Sequence, residues 1–201
     1  MPLYNRINLR LPDYDYSTEG IYFITIVTQK RKCLFGSIRD NEMILNSAGL
    51  MVNEVCKEIP QNISSVELSP YQIMPNHFHA LIHIKHNLQN IISDRNLLKQ
   101  MDFHQSEQNV GADLRVCPGQ PQRVAPTEEL VSLQNFVQRF KSLTTTRYIN
   151  GVHSYNWPHF ELRLWQRNYY EHVIRNENDY RNLAEFIVSN PQNWEKDDEY
   201  Q

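Results

Sequence analysis

Between Ile21 and Gln29 the chain reads IYFITIVTQ, a run of β-branched and aromatic residues almost without a polar break. Such a run predicts a central strand buried on both faces. Cys33 to Arg39 is expected to be its short partner strand. From Ser47 the apolar positions change period: Leu50, Met51, Val55 and Ile59 share one helical face, Ser47 can cap the start, and Pro60 is expected to stop the helix. Two further strands follow, Val66 to Met74 and His77 to Lys85, separated by a Pro75-Asn76 turn signal. In the second of these, alternation sends Phe78, Ala80, Ile82 and Ile84 to a core and His77 and His79 to the opposite face.

The pattern dissolves from about Ser93 to Glu128, where Gly, Pro, Gln, Asn and Asp crowd out spaced apolar residues. A stretch this long without periodicity predicts an inserted, mobile loop. Leu130 to Tyr148 then reads as an amphipathic helix, with Leu133, Phe136, Val137, Phe140 and Leu143 inward and Gln134, Gln138, Lys141 and Thr145 on the other side. Glu161 to Ile174 is strand-like and aromatic. Asn178 to Asn190 predicts a last helix, with Tyr180, Leu183, Ala184 and Ile187 buried and Pro191 as its end. The order predicts an α+β fold: a ferredoxin-like or RRM-like antiparallel sheet with helices packed mainly on one face. One domain, 1–201, is expected, interrupted by the loop at about 93–128.

Composition narrows the classes. Forty per cent hydrophobic and 11% aromatic residues in 201 suit a folded domain with a real core. No apolar run is long enough to cross a bilayer, and Met1 to Gly20 carries no signal-peptide pattern. Cys33, Cys56 and Cys117 are scattered and odd in number, which points to a reducing cytoplasm rather than a disulfide framework. The net charge of −3 argues against a sweeping basic face, although Val131 to Arg175 carries six Lys/Arg against two acids.

The sharpest chemistry lies in His77-Phe78-His79. Two imidazoles on one strand face are a natural ligand pair for a divalent metal that polarises a phosphoryl oxygen; they also occur by chance on exposed sheets. His83 lies on the same face, too far along to join. A zinc site completed by His153, His159 or His172 is an alternative, with spacings that match no compact zinc pattern. Asn190 stands four residues after Phe186, one helical turn away on the same side, where its amide oxygen could complete the site. It could equally be a helix-ending Asn before Pro191.

Three segments together resemble the REP-associated tyrosine transposases, relatives of the small single-strand insertion-sequence transposases of the HUH kind. They are Tyr22-Phe23-Ile24-Thr25, Met74-Pro75-Asn76-His77-Phe78-His79, and Leu164 to Asn176 continuing through Asp179-Tyr180-Arg181 to Asn190-Pro191. The resemblance spans nearly the whole chain apart from the insertion. It implies a DNA endonuclease and strand transferase acting in transposition. His77, His79 and Asn190 would hold Mg2+ or Mn2+, and a helix tyrosine would take the 5′ phosphate of single-stranded DNA, leaving a free 3′ hydroxyl. The implied partner is single-stranded DNA with a hairpin, a REP-like palindrome, read by a monomer or homodimer with no membrane involved.

One position departs from that pattern. The nucleophile position falls on Phe186, which has no hydroxyl. The chain is then a Tyr→Phe variant made to trap an uncleaved complex, a natural homologue that binds without cutting, or a protein using another tyrosine, of which Tyr180 is nearest. Expected DNA contacts are Arg139 and Lys141 with phosphates, Trp165 and Tyr169 as stacking planes, and the guanidinium groups of Arg167 and Arg175. Three other classes stand beside the nuclease: a non-catalytic DNA-binding regulator, an RRM-like RNA binder needing no metal, and a zinc hydrolase needing a third close His or carboxylate.

Overall fold

The computed structural model describes residues 18–85 and 131–200. The loop expected at 93–128, Cys117 included, lies outside these residues. Strand β1 (Gly20–Val27) is followed by a hairpin of β2 (Gly36–Arg39) and β3 (Glu42–Leu45), helix α1 (Ser47–Asn62), and strands β4 (Val66–Ile73) and β5 (His77–Ile84). Helix α2 (Leu133–Tyr155), strand β6 (Tyr170–Ile174), helix α3 (Glu177–Ser189) and a 3-10 segment (Asn190–Lys196) complete the order. No helix among the described residues is long and apolar enough to cross a membrane.

The main sheet runs β4-β5-β1-β6, with each neighbouring pair antiparallel. Counting only its own strands in chain order, this is 2-3-1-4, the interleaved order of two split β-α-β units in a ferredoxin-like sheet. The α+β expectation therefore holds. Tyr22, Ile24 and Ile26 of β1 and Phe78, Ala80, Ile82 and Ile84 of β5 point into one core with α1 and α2. Phe78 stacks on Phe140 of α2 at 4.6 Å between ring centroids. Phe23 and Leu81 face the other way and meet Ile187, with Tyr180, Leu183 and Ala184 beside them. Among the described residues, two helices thus cover one face, and α3 with the 3-10 segment lies on the face that carries the histidines.

Local chemistry sets the element ends, and the structure corrects several expectations. Cys33 to Arg39 does not pair with β1. Its strand, β2, folds onto β3 instead. The turn between them, Asp40-Asn41, takes positive φ at both residues (51° and 63°), the handedness that suits a twisted two-residue hairpin. The cap of α1 is Asn46, whose side chain accepts from the Gly49 N–H, rather than Ser47. Pro60 sits inside the last turn, where a missing N–H removes only one bond, and the helix runs on to Asn62. Within that helix Leu50 is exposed, while Val52, Val55, Cys56 and Ile59 are buried.

Helix α2 continues to Tyr155, beyond the expected Tyr148, and opens with a capping box between Ser132 and Asn135. Glu161 to Ile174 is not one strand. Only Tyr170–Ile174 joins the sheet, and a single bridge ties Trp165 to Thr28. Leu164 and Trp165 are buried in the α1–α2 core, which takes that stretch off the ladder.

Candidate metal centre

Strand register fixes the site. In β5, His77 pairs with Val27 and His79 with Thr25, so both imidazoles stand on the α3 face, with ring centroids 4.4 Å apart. Both are almost fully buried. The turn that delivers them is held from two sides, since the N–H groups of Leu34 and Phe35 both donate to the Pro75 carbonyl. Phe23 stacks on His79 at 5.5 Å, and Trp194 of the 3-10 segment covers His77 at 5.8 Å.

Hydrogen bonds behind the rings decide what the rings present. The Nδ1 of His77 lies 2.9 Å from Asn76 Oδ1. The Asn76 amide is oriented by its own Nδ2, which donates to the carbonyls of Arg31 (3.1 Å) and Glu199 (2.7 Å). Its oxygen can therefore only accept, which places the His77 proton on Nδ1 and leaves a lone pair on Nε2. The Nδ1 of His79 shares a hydrogen bond with Thr25 Oγ1, 2.9 Å away, which turns its Nε2 toward His77 and Asp197. Burial, and then the neighbouring His79, hold the His77 imidazole well below its ordinary pKa, so it stays neutral, the form that binds metal.

Asn190, the residue that ends α3, is 1% exposed. Its Nδ2 donates to Asp197 Oδ2 at 2.8 Å, while Asn190 Oδ1, His77 Nε2 and His79 Nε2 are all buried without a hydrogen-bond partner. Asp197 Oδ2 lies 4.0 Å from each of the two Nε2 atoms. Burial works against its charge, yet the contacts with His79 and Asn190, the His77 ring and the Glu199 N–H outweigh it and hold the carboxyl below the usual carboxylate range. Four acceptors thus gather in a buried spot, and the one donor among them, the Asn190 amide nitrogen, already serves Asp197. Orphaned buried acceptors cost free energy unless something satisfies them. A divalent cation does so, and one ligand atom from each of His77, His79 and Asp197 lies within 4.8 Å of the others. The donor set of two imidazoles and oxygens fits such an ion.

Phe186 stands at the edge of this site. Its ring is 5.2 Å from His79 and 6.0 Å from Phe23, and the residue is 41% exposed. Tyr180, the nearest alternative tyrosine in sequence, packs instead against His83 at 5.9 Å. His83, Tyr180, Arg175 and Glu177 border a separate cavity of about 420 Å³. His172 bonds Asp179 at 2.9 Å, and among the described residues neither it nor His153 nor His159 joins the metal-competent group.

The expected DNA contacts do not converge on the histidines. Trp165 is 3% exposed and donates its indole N–H to Thr144 Oγ1 in the α1–α2 core, so it offers no stacking plane. Lys141 is no free phosphate hook: its ammonium holds the carbonyls of Gln166 (2.9 Å) and Arg167 (3.2 Å) and lies over the Tyr169 ring. Tyr169 packs partly against the same core, and Arg139 is half-buried on α2, across the sheet from the histidines. Arg167 is exposed, and so is Arg175, beside the cavity on the histidine face.

Sequence reasoning missed Asp197, one of four acids between Glu195 and Glu199. No local signal marks it. It reaches the site because the 3-10 segment after Pro191 turns the chain back over the histidines.

No family model matches this chain. A Haemophilus influenzae protein described as uncharacterized is 34% identical over 199 residues, covering 98% of this chain and 94% of its own. Among solved structures, the chain is similar to a REP-associated tyrosine transposase bound to a REP hairpin, with TM-score 0.48 and 16% identity over 96% of this chain and 74% of that one. It is also similar to a transposase candidate from Deinococcus radiodurans r1, with TM-score 0.43 and 14% identity over 89% of this chain and 95% of that one.

Proposed function

We propose a function for the family to which this chain and the Haemophilus influenzae protein both belong: metal-dependent recognition of single-stranded hairpin DNA on the scaffold of a REP-associated tyrosine transposase. The observation that supports the reading is that His77 Nε2, His79 Nε2 and Asn190 Oδ1, from distant parts of the chain, are buried without a partner among the described residues, with Asn190 bonded to an Asp197 oxygen that lies 4.0 Å from both rings and with Phe186 beside His79. These three would hold Mg2+ or Mn2+. When bound, the ion supplies polarisation of a phosphoryl oxygen. Thr25 and Asn76 orient the two imidazoles, and Trp194 and Phe23 keep water from their flanks.

A tyrosine at position 186 would extend its hydroxyl from the exposed ring edge beside His79. Attack by that oxygen on phosphorus forms the tyrosyl–phosphate bond and breaks the bond to the 3′ oxygen, which leaves as a hydroxyl after taking a proton. Phe186 has no such oxygen, so this chain binds without cutting through that position. That same residue favours a second reading, a DNA-binding regulator on a transposase scaffold.

Nicking of an end-labelled hairpin DNA with Mn2+, by this chain and by Phe186→Tyr, tests both. The transposase reading expects cleavage by Phe186→Tyr alone, with a 5′-linked protein adduct. Absence of metal-dependent cleavage by either protein, with hairpin binding retained, selects the regulator. Failure of both proteins to bind hairpin DNA overturns the two together.

A further inference from the structure

Asp197 lies seven residues beyond Asn190, on the segment that folds back over the histidines, and nothing in the three-ligand reading requires it. We propose that its carboxylate is a fourth metal ligand, so that the C-terminal segment is part of the metal centre. This rests on the proposed metal site and extends it.

Three observations support the assignment. The Asp197 side chain is only 5% exposed, although it belongs to a polar segment with solvent close by. A buried carboxylate is costly unless charges or several donors compensate it. Asp197 has two hydrogen bonds, from Glu199 N to Oδ1 at 2.7 Å and from Asn190 Nδ2 to Oδ2 at 2.8 Å. Neither supplies a positive charge. The groups in front of Oδ2 are the two Nε2 atoms, each 4.0 Å away, and the Asn76 amide holds the His77 proton on Nδ1, so that His77 Nε2 offers a lone pair. The carboxylate oxygen and the two ring nitrogens lie within 4.8 Å of one another, the spacing of groups that can share one cation.

The second observation is the way the segment is fastened. Glu199 accepts from Arg31 Nε at 2.6 Å, and its carbonyl accepts from Asn76 Nδ2, so the backbone around Asp197 is anchored on both sides of β5's entry turn. Trp194 lies against His77 and Tyr200 against Trp194. The carboxylate is therefore held in place by its neighbours, as a ligand side chain needs to be. The third is chemical. Two imidazoles and an amide oxygen leave the charge of a divalent ion unbalanced, and one carboxylate brings the site nearer to neutrality in a place where water is excluded.

Isothermal titration of the full chain with Mn2+ tests the proposal, with His77→Ala, Asp197→Asn, Asp197→Ala and the exposed neighbour Asp198→Asn as comparisons. Thermal melts of each variant without metal check folding. The expected result is a tenfold or greater loss of Mn2+ affinity in both Asp197 variants, full loss in His77→Ala, and none in Asp198→Asn. Asp197→Asn keeps the shape and one acceptor, so a loss shared by both variants reports on the charge and ligation. Wild-type affinity in either Asp197 variant, with His77→Ala inactive in binding, overturns the fourth ligand and leaves the three-ligand site standing. An Asp197 variant with unchanged affinity and faster nicking in the Phe186→Tyr background likewise overturns it, because the carboxylate then obstructs the site. If the wild-type chain takes up no Mn2+, the metal reading itself fails and this proposal falls with it.

Discussion

The two faces of the four-stranded sheet are made by the same residues read alternately, and they do opposite things. Toward α1 and α2, Tyr22, Ile24, Phe78 and Ile82 meet other apolar groups, and the buried Trp165–Thr144 pair is satisfied: Trp165 donates to Thr144, and Thr144 donates back to the Phe140 carbonyl. Toward α3, Phe23, Leu81 and Ile187 form a small buried cluster, and at its edge His77, His79 and Asn190 bury acceptors that nothing among the described residues satisfies. One face is a stability device. The other gives up satisfied hydrogen bonding at one end, which is where a ligand can contribute free energy.

The strongest test of that contrast uses neighbours in sequence. Replacing His79 with Ala is expected to abolish Mn2+ binding while costing little stability without metal. Replacing Phe78 with Ala is expected to cost ~3–5 kcal/mol, as large-to-small changes of buried aromatics do. Calorimetric titration and chemical denaturation of the two variants read both effects, and similar profiles would erase the distinction between the faces. Next in size, Mn2+ at a hundredfold excess over its dissociation constant should stabilise the chain by about 2.7 kcal/mol, reversed by a chelator. A melting temperature indifferent to Mn2+ would mean that the acceptors are satisfied some other way.

On the opposite face, Thr144→Val removes the acceptor of the Trp165 N–H and should cost on the order of 1–3 kcal/mol with no effect on metal affinity. The smallest effect concerns Lys141. Burial lowers its ammonium to about 8, below the unfolded value of roughly 10.4. Between those two values the unfolded chain holds the extra proton, so stability contributed through this group rises with pH across that window and is lost as pH falls through 8. Lys141→Met should lack the rise. Denaturation midpoints at pH 8 and pH 10 measure it, and an equal rise in both proteins would assign it to another group.

How much of this was legible in the sequence follows from the range of each interaction. Alternation along β5 is a local signal, and it separated Phe78 from His77 and His79 correctly. The inward side of α3 was legible for the same reason, one helical period, although only Ile187 is fully buried there and Tyr180, Leu183 and Ala184 are half-buried beside it. Pro60 misled because proline breaks helix interiors but not last turns. The β2–β3 hairpin was missed although Asp40-Asn41 carries its turn chemistry; the stretch before it was matched to β1 instead. Trp165 and Lys141 were legible as residue types suited to DNA, but their partners, Thr144 for Trp165 and the Gln166 and Arg167 carbonyls for Lys141, lie 21 to 26 residues away in sequence. Asp197 had no local mark at all: an acid among acids, it is distinguished only by where the final turn carries it.

The Asn76 carboxamide has one more consequence. One end of it fixes the proton on His77, and the other grips the carbonyl of Glu199. Peeling that segment away removes the shorter of the two carbonyl contacts that hold the amide nitrogen and leaves Arg31 alone to keep its oxygen turned toward the imidazole. The stretch around Glu199 and the readiness of the histidine to accept a cation are thereby wired through a single side chain.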